Sequence, residues 1–218
     1  MTPEIFREKI NVSRETLAHL KLYVEILQRW QSKINLVSQD SLDALWTRHM
    51  LDSAQLIDHI PAETKIITDL GSGAGFPGLV IAIITGVETH LVESDSRKSA
   101  FLREVIRQTE APVEIHNGRA EDIAPWRSDI ITARALAPLP KLLAYAAPFL
   151  RSTSGSEPPD DSSKCLFLKG AAWRDELTEA QKSWHIQCQD VVSITDPTGR
   201  ILIIKNPTPN SPGEKLPR

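Results

Sequence analysis

The sequence has few cysteines, and its histidines are scattered. Its 218 residues include two cysteines, Cys165 and Cys188, and six histidines, which show neither CxxC nor HxxxH spacing. We therefore expect no metal site, and so few thiols are typical of a reducing compartment. The sequence also lacks any apolar run near the roughly 20 residues that a membrane span requires, so no membrane association is expected.

The N-terminus excludes secreted proteins with a signal peptide, and the small net charge limits how the chain could bind nucleic acid. The opening residues "MTPEIFREKI" carry acidic side chains and no apolar segment, so they do not form a signal peptide, and the cytoplasm is the expected location. The formal net charge is −3, so nucleic-acid binding would depend on a local basic patch. With 41% hydrophobic and 24% charged residues, the chain is typical of one main globular domain. A monomer is expected.

The first 60 residues show helical periodicity. Five apolar residues recur at helical spacing behind Ser13, a suitable N-cap: Leu17, Leu20, Val24, Leu27 and Trp30. A second helical pattern runs through residues 41–60, and Pro61 closes it. These patterns predict an N-terminal helical cap over residues 1–60.

From residue 66, short apolar runs alternate with helical patterns. The predicted strands are 66–70, 89–93, 113–116, 129–133 and 164–170, and the predicted helices are 77–85, 97–109, 139–150 and 173–182. Such alternation indicates βαβ units around a parallel sheet. Two further apolar runs, 185–194 and 200–206, flank "TDPTG" and predict a terminal antiparallel hairpin. The expected fold is therefore α/β, with the Rossmann-like sheet typical of class I S-adenosylmethionine-dependent methyltransferases.

Four segments follow from these patterns. The helical cap is expected over residues 1–60 and the sheet domain over 61–206. Residues 151–163, "RSTSGSEPPDDSS", are polar and aperiodic, which predicts a surface loop. The Pro-rich residues 207–218 are expected to be a disordered tail.

The stretch "IITDLGSGAGFPGLVIAI" fits two ligand fingerprints. From Gly73 it is Gly-x-Gly-x-x-Gly, which cradles a dinucleotide pyrophosphate; from Asp69 it is Asp-x-Gly-x-Gly-x-Gly, typical of S-adenosylmethionine sites. Pro77 has no N–H to offer a phosphate, and the Asp69 carboxylate would repel one. The same carboxylate favours an ammonium or sulfonium group, so S-adenosylmethionine is the expected cofactor.

Other residues of this site follow from their positions in the predicted sheet. Gly71, Gly73 and Gly75 allow the backbone to turn tightly and approach the ligand. Glu93 ends the second strand, where it can accept hydrogen bonds from ribose hydroxyls, a role that NAD would also use. After the third strand, Glu121 or Asp122 can meet the adenine amino group; a solvated acidic turn is the alternative.

The sequence lacks the motifs of two methyltransferase classes, which limits the possible acceptors of the methyl group. After the fourth strand stands "ARALAPLP" and not the Asn/Asp-Pro-Pro-aromatic loop that serves exocyclic adenine amines. Cys165 and Cys188 fall within predicted strands and are interpreted as structural thiols. An acceptor with its own lone pair, such as guanine N7, remains compatible. N7 loses no proton on methylation, so no general base is expected. Alignment of the nucleophile, the methyl group and the sulfur can account for most of the rate enhancement.

Six segments together resemble the RsmG (formerly GidB) family of bacterial small-subunit ribosomal RNA methyltransferases, over residues 30–205: "NLVSQDSLDALWTRHMLDS", "DLGSGAGFPGLVIAI", "VESDSRKSAFLREV", "GRAED", "ITARALAPL" and "FLKG". The resemblance implies methylation of N7 on one guanine of 16S rRNA near the decoding site. It also implies that Gly71 and Phe76 line the cofactor, that Ala120 and Glu121 meet its adenine, and that Arg134 lies in the cofactor site or on its rim. Glu93 stands where many members have Asp, and the insertion 151–163 departs from compact members.

Basic residues suggest how RNA, free or within the small subunit, could be held. Arg134 ends a sheet strand and faces the expected ligand crevice, where it could hold the cofactor carboxylate or an RNA phosphate. A surface salt bridge is the alternative for Arg134, and its apolar neighbours disfavour it. The other candidates for RNA contact are Asn35, Arg48, His49 and Lys169. For Arg48 and His49, a hydrogen-bonded contact between cap and domain is an equal alternative. A solvated helix face better explains Arg97, Lys98, Arg103 and Arg107.

Two other functions share parts of this pattern. A methyltransferase that acts on a small molecule would use the same cofactor residues. A non-catalytic sensor of NAD would use the same glycine loop, although Pro77, Asp69 and the terminal hairpin weigh against it.

Overall fold

Short apolar runs form a seven-stranded sheet in the computed structural model, which describes residues 1–150 and 163–210. The strands are β1 Ile66–Leu70, β2 Glu88–Glu93, β3 Val113–Asn117, β4 Ile130–Arg134, β5 Lys164–Lys169, β6 Trp184–Val192 and β7 Arg200–Pro209. Their order is β3-β2-β1-β4-β5-β7-β6. Strands β1 to β5 are parallel, and β7 is antiparallel to both β5 and β6. The predicted parallel sheet with a terminal hairpin is confirmed.

Helices cover both faces of the sheet, so that consecutive residues of β1, β4 and β5 are buried on both sides. The helices of this part are α5 Gly78–Thr85, α6 Ser96–Thr109, α7 Leu139–Leu150 and α8 Trp173–Gln181. Helices α5 and α6 contribute to one apolar cluster, and α7 and α8 contribute to another. Each begins and ends within two residues of its predicted range.

The N-terminal helices share a core with the sheet domain. Helix α1 spans Pro3–Ile10 and α2 spans Arg14–Gln31. The Ser13 hydroxyl accepts a hydrogen bond from the Thr16 amide at 2.9 Å, which confirms the predicted N-cap. The apolar stripe of α2 packs in one cluster with side chains of α5 and α6. The cap is thereby fixed against the face of the sheet that carries α5 and α6.

Residues 41–60 do not form the single helix that their periodicity predicts. They fold as successive short turns: α3 Gln39–Leu42, a π-helix at Trp46–Leu51, α4 Asp52–Ala54 and a 3₁₀ turn at Ile57–His59. At the end of the π-helix, the Asp52 amide bonds to the His49 carbonyl. The Arg48 carbonyl, within the π-helix, also accepts from the guanidinium of Arg134 at 3.1 Å. The irregular segment thus makes a tertiary contact that periodicity does not predict.

The C-terminal strand extends further than predicted. Strand β7 continues past Asn206 to Pro209, which pairs with Trp184 of β6. Strand β5 pairs with β7 only as far as Lys205, so the two later prolines have no N–H partner to lose on that side. The disordered tail predicted from residue 207 is therefore wrong for 207–209. Residues 151–162 of the predicted loop and 211–218 of the tail lie outside the described residues.

No helix within the described ranges has both the length and the apolar composition that a membrane span needs.

Candidate functional site

The glycine loop between β1 and α5 lies at the carboxyl edge of the sheet, beneath the cap. The amides of Gly71 and Ser72 both donate to the Val92 carbonyl of β2, at 2.9 and 3.1 Å. Gly71, Gly73 and Gly75 have φ of 66°, 58° and 91°, in the left-handed region that glycine adopts without strain. A Cβ on Gly75 would lie 2.7 Å from the Tyr23 hydroxyl of α2. The loop therefore fits closely under the cap.

Tyr23 joins the cap to this loop. Its ring is fully buried and stacks on Phe76 with 5.5 Å between ring centroids. Its hydroxyl donates to the carbonyl of Ala74. A buried helix of the cap thus holds the backbone of the glycine loop.

Replacing Tyr23 with Phe should destabilise the fold by roughly 1–3 kcal/mol, because the buried Ala74 carbonyl would lose its donor while the ring packing stays. Urea denaturation followed by circular dichroism measures this difference. Tyr145→Phe, on the half-buried face of α7, is the matched control and should change the unfolding free energy by less than about 0.5 kcal/mol. Equal effects of the two substitutions would show that the Tyr23 hydroxyl does not hold the loop.

Asp69 lies directly under the glycine loop, fully buried at the end of β1. One carboxylate oxygen accepts a hydrogen bond from the Thr132 hydroxyl at 2.7 Å. The other has no hydrogen-bond partner of ordinary geometry in the described residues, although the Gly78 amide is near enough to lower the pKa. Burial outweighs these contacts and raises the pKa of Asp69 to about 6.

Gly78 makes the position of Asp69 possible, and the sequence alone did not single it out as a packing residue. A Cβ on Gly78 would lie 2.5 Å from the Cβ of Asp69 and 2.7 Å from a Leu91 methyl. Only glycine lets α5 start this close to β1 and β2. The start of α5 is therefore occupied by a carboxylate, which is unfavourable for a bound phosphate.

Glu93 connects the end of β2 to the glycine loop. Its two carboxylate oxygens accept hydrogen bonds from the backbone amides of Gly73 and Asp95, each at 2.7 Å. Its backbone carbonyl accepts from Asn117 of β3 at 2.8 Å. Each carboxylate oxygen keeps a further lone pair, so Glu93 can still accept from a ligand hydroxyl.

The "GRAED" turn follows β3 on the same edge of the sheet. The Asp122 amide donates to the Arg119 carbonyl at 3.0 Å, which closes the turn. Ala120 is half-buried against the apolar cluster of α7, whereas Glu121 and Asp122 are exposed. The turn thus presents an apolar residue next to two acids.

Arg134 is held by the cap at the end of β4. Its guanidinium contacts the Asp52 carboxylate at 3.1 Å and the Nδ1 atom of His49 at 2.9 Å, as well as the Arg48 carbonyl. It also lies 5.0 Å from the centre of the Phe76 ring. Its side chain is 18% exposed. This arrangement is a fixed cation whose remaining surface faces a cavity.

The His49 ring has one defined proton position. Because a guanidinium can only donate, the His49 Nδ1 accepts, and its Nε2 carries the hydrogen and bonds to the Ser41 hydroxyl at 2.9 Å. The ring stacks on Phe76, with 4.8 Å between centroids. Burial and the charge of Arg134 lower the pKa of His49 to about 4. The imidazole is therefore neutral at physiological pH.

A cavity of about 580 Å³ opens beside Arg134, between the cap and the carboxyl edge of the sheet. Its lining includes Ser41, Arg48, His49, Arg134, Leu136 and Lys169. Leu136 separates it from the glycine loop, since a Cβ on Gly71 would lie 2.4 Å from a Leu136 methyl. Leu136 is 37% exposed, although it is a large hydrophobic residue. Sequence reasoning missed this residue because nothing in "ARAL" shows which glycine the leucine covers.

The four candidates for RNA contact differ in their surroundings. Arg48 and Asn35 are exposed. Lys169 is 7% exposed, and its ammonium donates to the Ala137 carbonyl at 2.8 Å and to Glu176 at 2.6 Å. Arg48 and His49 make the contact between cap and domain that was the alternative for them. The RNA role of all four stays a prediction.

The two cysteines lie apart from this site. Cys165 is fully buried in β5, and burial raises the pKa of its thiol far above the usual value. Cys188 is half-buried in β6, and burial raises the pKa of its thiol to about 11. Both thiols are protonated at neutral pH, as expected of structural cysteines.

Comparison with known proteins identifies close relatives along most of the chain. A family model described as GidB, rRNA small subunit methyltransferase G, matches residues 16–202. The protein "Ribosomal RNA small subunit methyltransferase G" of Paramagnetospirillum magneticum is 51% identical over 205 residues, which cover 94% of this chain and 96% of the relative. The protein of the same name from Rhodospirillum rubrum is 48% identical over 204 residues, with 94% and 97% coverage.

Solved structures with much lower identity share the fold. A mutant of MtNAS in complex with S-adenosylmethionine matches with a TM-score of 0.55 and 14% identity, over 94% of this chain and 84% of that one. The fibrillarin/Nop5p complex matches with a TM-score of 0.53 and 16% identity, over 74% and 82%. At these identities, the likeness concerns the fold alone.

Proposed function

Because the chain belongs to the GidB family, rRNA small subunit methyltransferase G, we propose that it transfers a methyl group from S-adenosylmethionine to N7 of one guanine in 16S rRNA. The observation that carries this proposal is the arrangement at the carboxyl edge of the sheet. There Asp69, the glycine loop and Glu93 lie together, and Leu136 separates them from a cavity of about 580 Å³ that Arg134 lines.

The residues present fit S-adenosylmethionine. The buried carboxylate oxygen of Asp69 that lacks a partner offers a negative charge beneath the loop, which suits the cationic methionine end. Glu93 keeps acceptor capacity for ribose hydroxyls, and a Cβ on Gly73 would meet nothing nearer than 3.9 Å. We propose that the cofactor is held by these residues together with Gly71, Gly75, Phe76, Ala120, Glu121 and Arg134. When bound, the cofactor supplies an electrophilic methyl group.

The protein's own residues then have a positioning task. Guanine N7 carries a lone pair and no proton, so no side chain needs to accept a proton. The neutral His49 and the fixed Arg134 line the cavity. Leu136 lies between the cavity and the glycine loop. We propose that Arg134 orients the cofactor or the incoming nucleotide with its cation. Arg48, exposed on the rim, is suited to bind an RNA phosphate. Asn35, His49 and Lys169 complete the proposed RNA-facing set.

The test is transfer of labelled methyl from S-adenosylmethionine to small ribosomal subunits that lack this modification and, in parallel, to naked 16S rRNA. Treatment with borohydride and aniline then cleaves RNA at 7-methylguanine. We expect one new cleavage site, and the better substrate shows whether the enzyme acts before or after subunit assembly. Label in RNA without cleavage would refute N7 as the acceptor. The absence of label in RNA would favour a small-molecule substrate.

Replacing Asp69 with Asn should weaken S-adenosylmethionine binding by roughly 30- to 100-fold, because the buried charge that faces the cationic ligand is lost. At pH 7.5 the variant should be as stable as the wild type or more so. The pKa of Asp69 is raised on folding from 3.8 to about 6, so its ionisation costs stability as pH rises through that range. Calorimetric titration and thermal melting measure the two effects.

The pH dependence gives a second readout of the same group. Protonation of Asp69 below about pH 6 should weaken cofactor binding by the wild type between pH 7.5 and 5. Binding by Asp69→Asn should change less over that range. The control is Asp129→Asn, at the amino end of β4, where the carboxylate accepts from the Lys65 and Ile66 amides. It should lower stability and leave affinity unchanged. A variant at Asp69 with wild-type affinity at pH 7.5 would remove this residue from the proposed site.

A further inference from the structure

A second cluster of chemically active side chains lies on the β2–β3 edge of the sheet, and none of its members lines the cavity. His90 lies on β2, and Glu114 and His116 lie on β3. One ligand-type atom from each of the three lies within 4.8 Å of the others. The sequence spacing did not suggest this cluster, because 24 and 26 residues separate His90 from the other two and the parallel pairing of β2 with β3 brings them together.

The three groups converge on a common point. His90 Nδ1 and His116 Nε2 lie 2.9 Å apart. The Glu114 carboxylate oxygens lie 3.8 Å from His116 Nε2 and 4.0 Å from His90 Nδ1. In a tetrahedral site with metal–ligand bonds of about 2.0–2.1 Å, ligand atoms are roughly 3.3 Å apart. Small side-chain rotations would therefore bring all three atoms to bonding distance of one ion.

The other ring nitrogen of His90 also has a hydrogen-bond partner. Its Nε2 lies 3.2 Å from the Glu88 carboxylate, which can only accept when it is ionised, so this nitrogen carries the hydrogen. The lone pair of Nδ1 is then directed to the cluster, where it accepts the hydrogen of His116 Nε2 at 2.9 Å. An ion that binds both nitrogens must displace this hydrogen, either to solvent or to the other nitrogen of His116. An imidazole that donates its other N–H to a carboxylate is the usual arrangement behind a metal-binding histidine, because the carboxylate fixes the tautomer and raises the basicity of the ligand.

Trp126 keeps both imidazoles in place. Its ring centroid lies 4.8 Å from that of His90 and 4.1 Å from that of His116. The indole N–H donates to the Thr68 hydroxyl at 2.9 Å, so the indole itself is anchored to β1. The ligand set is thus held before any ion arrives.

We propose that His90, Glu114 and His116 bind one divalent transition-metal ion, for which Zn²⁺ is the best match. Two imidazoles and one carboxylate suit zinc and leave a fourth position for water, whereas Mg²⁺ and Ca²⁺ prefer all-oxygen sites. The bound ion would cross-link β2 and β3. The Asn117 side chain of β3 donates a hydrogen bond to the Glu93 carbonyl of β2. The cross-link would therefore also stabilise the part of the sheet edge that carries Glu93.

The experiment uses the full chain, freed of any affinity tag and of metal by a chelator. Titration with Zn²⁺ in a calorimeter should give one ion per chain with a Kd of roughly 1 µM or lower, and Zn²⁺ should raise the melting temperature. Co²⁺ should give the intense visible absorption of a four-coordinate ion. The titration contains no S-adenosylmethionine and no RNA, so its outcome is independent of the proposed methyltransferase function.

Substitutions decide whether this cluster is the site. His116→Gln should weaken Zn²⁺ binding by roughly 100-fold or more and Glu114→Gln by about 10-fold, in line with the loss of a ligand. Both side chains are at least partly exposed, so both variants are expected to fold, which the melting temperature of the metal-free proteins checks. His185→Gln, on the opposite edge strand β6, is the matched control and should bind like the wild type. No bound ion, or equal weakening by His185→Gln, would overturn the proposal.

Discussion

Replacing Gly73 with Asp is expected to lower the affinity for S-adenosylmethionine by at least roughly 100-fold while the protein still folds. Gly73 has a φ of 58°, and aspartate is among the residues that tolerate this left-handed conformation. A Cβ at this position would lie 3.9 Å from the Gly71 carbonyl and meet nothing nearer. The new side chain would therefore extend into the space that the cofactor is proposed to fill. Its charge would add repulsion, because the Glu93 carboxylate already bonds to the Gly73 amide at 2.7 Å.

Two comparisons separate the causes of this loss. Gly73→Asn has nearly the same shape without the charge, so an affinity between those of the wild type and Gly73→Asp would measure the electrostatic part. Gly86→Asp is the backbone control, since Gly86 has a φ of 72° and open space around its Cβ at the end of α5. It should cost stability without changing affinity. Wild-type cofactor binding by Gly73→Asp would place the cofactor elsewhere.

Much of the sheet domain could be predicted because its signals are local. The strands Ile66–Leu70 and Ile130–Arg134 are largely buried, so each is a short, mainly apolar segment between turn residues, with its charged residue near the carboxyl end. The terminal hairpin could be predicted from two apolar runs and the turn residues between them. The residues after each strand could be assigned to one edge, since parallel strands end on the same side of a sheet.

The remaining features depend on contacts between distant segments. The Arg48 carbonyl in the π-helix at Trp46–Leu51 accepts from Arg134, which lies 86 residues away. The close approach of α5 to Asp69 is visible only when the neighbours of Gly78 are known. Pairing of β2 with β3 brings His90 beside His116. Periodicity contains no information about such partners, so the sequence suggested Arg48 and His49 as a contact between cap and domain but did not pair them with Arg134.

Arg134 connects three parts of the proposed site. The Asp52 carboxylate, which pairs with the Arg134 guanidinium, also accepts a hydrogen bond from the Thr195 hydroxyl at 2.5 Å and one from Gln55 at 2.9 Å. Gln55 in turn accepts from the Ile194 amide at 2.9 Å. The turn between β6 and β7, the cap and the end of β4 are therefore joined through one carboxylate. The position of the Arg134 cation depends on all three.

We expect Arg134→Ala to lower kcat/KM for RNA methylation by about 1,000-fold, as is typical when a preorganised charge is removed from a reacting site. The substitution also leaves the Asp52 carboxylate and His49 Nδ1 without their cation, which should cost roughly 1–3 kcal/mol of stability. Activity is therefore measured well below the melting temperature of the variant. Arg134→Lys should recover part of the stability but little of the activity, since an ammonium cannot reproduce the three directed contacts of the guanidinium.

Arg200→Ala is the matched control for this result. Arg200 begins β7, its side chain is also 18% exposed, it pairs with Asp190 at 3.4 Å, and it lies over the Trp173 ring at 5.4 Å. It does not line the cavity. Its loss should therefore lower stability to a similar degree and leave kcat/KM within about threefold of the wild type. If Arg134→Ala retained near-normal turnover, Arg134 would be only a structural link between cap and sheet. If both variants lost activity equally, the loss would follow from stability rather than from the position of the Arg134 charge.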